Sequence, residues 1–194
     1  MKCDRMATSR GGPTRIVLTE GHHDAVPSDE PSRVRVTLAG DMPTVARTLG
    51  SKHAEFYARQ LHRDGVVLTA WRSNQLVGAV YLSFDPADER KIRLFLPGVP
   101  LLYHLHVIET RRRQHFGTDL VRAAAAVARE RGHKRVAVGV DPRNRIAIRL
   151  YRGLGFRGWR RGRVRTERDV YDADGRLAGK APDRCRVFVM DLRK

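Results

Sequence analysis

Cysteine is nearly absent from this chain of 194 residues: Cys3 and Cys185 are the only two. Two residues so far apart make no disulfide framework and lack zinc-ligand spacing, which fits a reducing compartment and a fold held by its apolar core. His22-His23 also lack partners at ligand spacing, so no metal is expected. Long apolar runs are missing too. No segment approaches the roughly 20 residues of a membrane-spanning helix, and Ile16-Val17-Leu18 is too short for the apolar stretch of a secretory signal. These absences point to a soluble, cytoplasmic protein. Acidic residues are scarce: 21 Asp and Glu face 38 Lys and Arg, for a formal charge of +17. Only six of the 38 are lysine, leaving 32 arginines. Arginine's planar fork suits phosphate, so nucleic acid or an acidic ligand is one reading of the charge. A solvated cationic surface is the other, because net charge does not specify a fold.

What is present is a chain long enough for one ordinary domain. Residues 1–32 are polar with scattered Gly and Pro, and are expected to form a disordered or extended leader before a domain over 33–194. Val34, Val36 and Leu38 alternate with polar residues, the period of a half-buried strand. Asp41 and Pro43 open a short helix, and a second is expected over about Ser51–Arg63. Val66–Trp71 and Gln75–Phe84 flank a tight Arg72-Ser73-Asn74 turn and read as a hairpin. Asp85–Pro100 reads as a short helix or loop. Leu101–Val107 is an apolar strand, followed by the cationic turn Arg111-Arg112-Arg113-Gln114-His115-Phe116-Gly117. An Ala-rich helix runs from Thr118 to about Arg131, with Leu120, Val121, Ala124, Ala125 and Ala128 on its apolar face. Val136–Val140 is the next strand, and strand, helix, strand in this order implies parallel pairing. A short helix after Asn144 ends at Gly153 and Gly155. Gly158–Val170 and Cys185–Leu192 form a final antiparallel pair. The fold class is α/β, a mixed sheet with helices on both faces.

Two motifs carry chemistry. The first is Arg112-x-x-His115-x-Gly117 at a helix start, where unpartnered N–H groups, the helix dipole and three arginines favour a phosphate. The second is Asn144-x-x-Ala147-x-x-x-Tyr151-x-x-x-Gly155-Phe156, with Asn144, Ala147 and Tyr151 on one helical stripe. Their order and spacing resemble the two signatures of the GNAT family of N-acetyltransferases, over roughly Arg33–Leu192. One position departs from the family pattern, since His115 stands where the loop's first glycine is usual. Only glycine adopts positive φ cheaply, unless this position is helical.

The resemblance implies a fold in which the fourth and fifth strands, here Leu101–Val107 and Arg135–Val140, splay apart to admit acetyl-CoA. Backbone groups at His106 and Val107 would pair with the pantetheine arm and thioester. The amides of Arg112, Arg113, Gln114, His115, Phe116, Gly117 and Thr118 would hold the pyrophosphate. Asn144 would contact the cofactor, or serve as a plain helix cap. Tyr151 matches the family tyrosine that protonates the departing thiolate, or packs beside Phe156. His106 is the candidate base, with Glu109 and His104 in reserve. On a regular strand Leu102, His104 and His106 share one face, and Tyr103, Leu105 and Val107 the other. The implied activity is direct transfer of an acetyl group from acetyl-CoA to a primary amine on a small molecule, peptide or protein. The alternatives are a basic member acting on aminoacyl-tRNA or another RNA-linked amine through the Arg-rich C-terminal part, and a member that binds CoA or RNA without catalysis. A monomer and a homodimer both fit.

Overall fold

The structure, a computed structural model, describes residues 32–193. The expected leader, Ser32 apart, and the His22-His23 pair lie outside the described residues. Seven strands form one mixed sheet in the order β1-β2-β3-β4-β5-β7-β6. They are β1 (Arg33–Val36), β2 (Gly65–Arg72), β3 (Gln75–Ser83), β4 (Leu101–Val107), β5 (Arg135–Val140), β6 (Arg157–Tyr171) and β7 (Leu177–Asp191). The helices are α1 (Met42–Leu49), α2 (Ser51–Gln60), α3 (Arg90–Phe95), α4 (Phe116–Glu130) and α5 (Arg145–Gly153). The 85–100 segment therefore contains a helix, and α2 stops at Gln60. Among the described residues no helix is long and apolar enough to cross a membrane.

Each face of the sheet has its own core. Leu120, Val121, Ala124 and Ala128 of α4 and Tyr151 of α5 pack on Leu102, Leu105, Val107, Val136 and Val138. The alanines let α4 lie close to the sheet. On the other face, Phe56 and Tyr57 of α2 pack with Val67, Ala79 and Tyr81. Farther along that face, Ile92 of α3 joins Leu101, Ala137, Val164 and Cys185.

Two departures from regular geometry shape the centre of the sheet. The β3–β4 register shifts between Ala79 and Tyr81, opposite His104, which sits at φ 56°. This bulge adds a residue to β4 and breaks its alternation. His104 and His106 still share the α2 side, as expected. Leu102 does not join them; it packs with Leu105 and Val107 under α4. The second departure is the parallel β4–β5 ladder, which pairs only Leu101 with Ala137 and Leu102 with Val138. Beyond that point β4 follows β3 as far as Val107, while β5 stays paired with β7 as far as Val140. The two strands diverge.

β7 begins at Leu177, well before the expected Cys185. Residues 177–184 include Pro182 and lack strand periodicity, but a tight turn holds them in register. Asp172 N–H donates to the Arg176 carbonyl, and Arg176 N–H donates to Asp172 Oδ1 at 2.8 Å. Pro182 is tolerated because this part of β7 pairs only with β6. The β6–β7 ribbon thus runs past the sheet, and its tip docks on the α1–α2 junction. A Cβ on Gly175 would stand 2.1 Å from Ser51 Oγ and 2.8 Å from Lys52 N, at a φ of +79°. Farther back, Arg59 of α2 pairs with the buried Asp169 at 3.0 Å. Gly175→Ala should therefore loosen the tip at a cost of about 1–3 kcal/mol, read as a lower Tm and faster tryptic cleavage after Arg176.

Candidate active site

The diverging strands leave the edges of residues 103–107 and 139–140 without ladder bonds to one another. The N-termini of α4 and α5 follow directly after these two strands. α4 has no side-chain cap, and its first turn is led by Phe116, Gly117 and Thr118. Phe116 is buried in the core and anchors the helix start. A Cβ on Gly117 would make only ordinary contacts, with Leu150 at 3.6 Å and with Leu105 and Val107 at 3.9 Å. The free amides of this turn and the open strand edges suit a long ligand with a phosphate at one end. They fit acetyl-CoA.

The loop before α4 is held by its own side chains. Arg112 Nε donates to the Val107 carbonyl at 3.2 Å, and its guanidinium pairs with Glu109 at 3.1 Å. Arg112 thus braces the turn, while Arg113 is exposed. Gln114 Nε2 donates to the Thr110 carbonyl, and Arg72 donates to Gln114 Oε1 at 3.2 Å. Arg72, from the hairpin turn, is a loop brace that no sequence spacing indicated. Arg113 and His115 both lie at positive φ, 62° and 66°. The His115 position is therefore left-handed and not helical, and a histidine there costs on the order of 1 kcal/mol relative to glycine.

Asn144 caps α5: its Oδ1 accepts the Ala147 N–H at 3.0 Å. Tyr151 is buried, with its ring edge-on to Phe156 at 5.3 Å between centroids. Glu109 lies on the exposed turn, where its carboxylate pairs with Arg112.

On the α2 side of the bulge three imidazoles meet. His53 Nδ1 and His104 Nε2 share a hydrogen bond of 2.7 Å, and the His53 ring lies 3.9 Å from that of His106. Phe56 stacks on His104 at 4.3 Å. The Tyr57 hydroxyl donates to the His104 carbonyl and lies 3.1 Å from that of Ala79. These contacts hold His104 in its left-handed conformation. His53, Phe56 and Tyr57 were missed as site residues. Their spacing of i, i+3 and i+4 on one helix face was the available signal, but it reads equally as ordinary core packing. A cavity of about 540 Å³, lined by residues 49–53 and the ribbon residues 168–173 and 175, opens beside His53. A second, of about 440 Å³, lies between α2 and the loop before α3, with Tyr81, Asp85 and Tyr103 in its wall. Among the described residues no group of His, Cys, Asp and Glu is arranged to hold a metal ion.

Burial holds His53 and His106 neutral. It lowers the His106 pKa to about 4, assisted by Arg112 and Lys52 and opposed by Glu109. It lowers that of His53 to about 2, assisted by His106, His104 and Lys52. Because both folded values lie below the ordinary 6.5, the unfolded chain takes up protons first as pH falls. Stability is thus full above pH 6.5 and declines from there toward pH 4, with His53 continuing the loss below. Each histidine contributes on the order of 1 kcal/mol per pH unit. Thermal melts from pH 7.5 to 4.5 should show this decline, and His53→Gln with His106→Gln should flatten it.

The fold agrees with that of known proteins. The family model for the acetyltransferase (GNAT) family matches residues 38–156. No curated protein matches the sequence significantly. Among solved structures, the Escherichia coli ribosomal-protein-S18-alanine N-acetyltransferase superposes with a TM-score of 0.59 at 16% identity, covering 84% of this chain and 96% of that one. An Elizabethkingia anophelis GNAT acetyltransferase with acetyl-CoA bound gives 0.56 at 16% identity, over 84% and 99%. The Brucella melitensis ribosomal-protein-alanine N-acetyltransferase gives 0.57 at 19%, over 82% and 99%. At these identities the likeness is one of fold. With the family model spanning both motifs and both divergent strands, the chain belongs to the GNAT acetyltransferase family and is an acetyl-CoA-dependent N-acetyltransferase.

Proposed function

We propose that this enzyme acetylates a primary amine that reaches the β4–β5 gap from the α2 side, with His106 as base and Tyr151 as acid. The observation that carries the reading is the packing of His53, His104 and His106 together at the bulge where the two strands part. Acetyl-CoA supplies the activated thioester. The amides of 112–118 and the dipole of α4 hold its pyrophosphate, and Arg113 adds charge. The backbone at His106 and Val107 aligns its pantetheine arm, and the start of α5 at Asn144 closes the other side. A neutral imidazole is available above pH 4, so His106 takes the proton that the amine sheds as its nitrogen bonds to the acetyl carbon. Tyr151 gives its proton to the departing sulfur, which leaves as a thiol. His53, bonded to His104 and packed on His106, fixes the base and links it to the cavity of about 540 Å³ at the ribbon tip.

That cavity favours an acceptor with room for more than a simple alkylamine. Lys52, Arg168, Asp169 and Asp172 give it charges of both signs. Small polyfunctional amines and peptide N-termini are its candidates. Two of the structural neighbours are named for acetylating an alanine of a ribosomal protein, so peptides with N-terminal alanine belong in the panel.

An acceptor screen read by thiol release tests the proposal. With the best acceptor, His106→Gln should lower kcat about 100-fold or more, and Tyr151→Phe should lower it with little change in the KM for acetyl-CoA. Turnover unchanged in both variants would remove these residues from the chemistry. Calorimetry tests the loop separately. Acetyl-CoA should bind in the micromolar range, and His115→Gly, which relieves the left-handed strain, should bind as well or better and raise stability by up to about 1 kcal/mol. Absence of binding heat in both proteins would overturn the cofactor assignment.

A further inference from the structure

The excess arginine is not spread evenly. Arg35, Arg59, Arg63, Arg112, Arg131, Arg176 and Arg193 each pair with an Asp or Glu. Eight others share one face and form no ion pair among the described residues. Arg143 precedes α5. Arg145, Arg149 and Arg152 line it at i, i+4 and i+7, all exposed. The remaining four are on the ribbon, where Arg163 stands directly opposite Arg186 and Arg165 opposite Arg184. The helix and ribbon arginines are neighbours. Arg152 and Arg186 both approach the Phe188 ring, at 6.0 and 5.8 Å, and Arg143, Arg163 and Arg184 line one cavity of about 550 Å³.

Like charges directly opposite on a ladder destabilise it, and none of the four ribbon arginines is ion-paired among the described residues. Two carboxylates, Asp141 and Asp183, share the cavity wall and offset only part of the eight positive charges. Alternate ribbon residues are spaced by roughly 6.6 Å, so the guanidinium groups form a two-column grid beside the helical row. A grid of this kind is self-repelling until an extended polyanion lies on it. Arginine's fork fits phosphate bidentately. None of the eight positions or their cross-strand partners is aromatic, so the face offers no platform for stacking unpaired bases.

We propose that the α5–ribbon face binds the phosphate backbone of helical nucleic acid without reading its sequence. The α2-side histidines lie on the opposite side of the sheet, so a bound duplex leaves the acceptor cavity open. This inference does not depend on which amine is acetylated.

The test is fluorescence anisotropy with a duplex RNA, a duplex DNA of the same length and a poly-glutamate peptide of matched charge, over a salt series. The wild type should bind one or both duplexes, with log K falling linearly against log salt. Replacing Arg163, Arg165, Arg184 and Arg186 by Ala should weaken binding at least 10-fold and reduce the slope by about 0.9 for each DNA phosphate that is no longer neutralised. Its Tm should hold or rise, since two repulsive pairs are gone, and acetyl transfer to a small amine should be unaffected. A control replacing Arg47, Arg90, Arg93 and Arg176 removes the same charge elsewhere. Equal weakening in the control would make binding a property of net charge and overturn the proposal. So would poly-glutamate binding as tightly as the duplexes, or no duplex binding at low salt. Loss of transfer with duplex binding intact would bear on the acetyltransfer reading alone.

Discussion

The separation of β4 from β5 is the constraint around which the molecule is arranged. A parallel ladder extended past Leu102 and Val138 would be the ordinary outcome for two neighbouring strands. It stops because the strands answer to different partners. The bulge at His104 bends β4 with β3, whereas β5 is held by its continuous pairing with β7. The backbone groups left at the divergence are hydrogen-bonding groups that need partners, and in the proposed cofactor position the amide-bearing arm of acetyl-CoA supplies them.

The same bulge also sets the chemistry on the α2 side. By turning the strand at His104 it presents both His104 and His106 to α2, where His53 completes the cluster. The strained backbone is held by the Tyr57 hydroxyl and the Phe56 ring. Burial then keeps His53 and His106 uncharged at neutral pH and makes them costly to protonate in the folded state. One irregularity thus supports the cofactor gap, the acid sensitivity and the candidate base.

The second device is the ribbon. It extends beyond the sheet to wall the cavity beside His53 with one end, while its outer arginines stand beside α5. Its two faces serve different purposes because antiparallel pairing puts residues of one parity together. Val164 and Cys185 go to the core, and Arg163, Arg165, Arg184 and Arg186 go to solvent. The face that repels itself is the face left open to solvent.

Much of this was readable from residues alone, because it rests on local patterns. The apolar period of α4, the valines of β5, the hairpin turn and the two motifs fall within short windows, where helix and strand repeats are decisive. The placement of Asn144 and Tyr151 on one stripe follows from 3.6 residues per turn. Tertiary contacts settled the rest. Alternation put Leu102 with the histidines, but the bulge moved it under α4. Composition stopped β7 at Cys185, but the Asp172–Arg176 turn carried it back to Leu177. His115 took a left-handed conformation that its residue type disfavours. His53 joined the site from 51 residues before His104 in the chain. Register, strain and convergence of this kind depend on which distant segments pack together, and no local repeat encodes that.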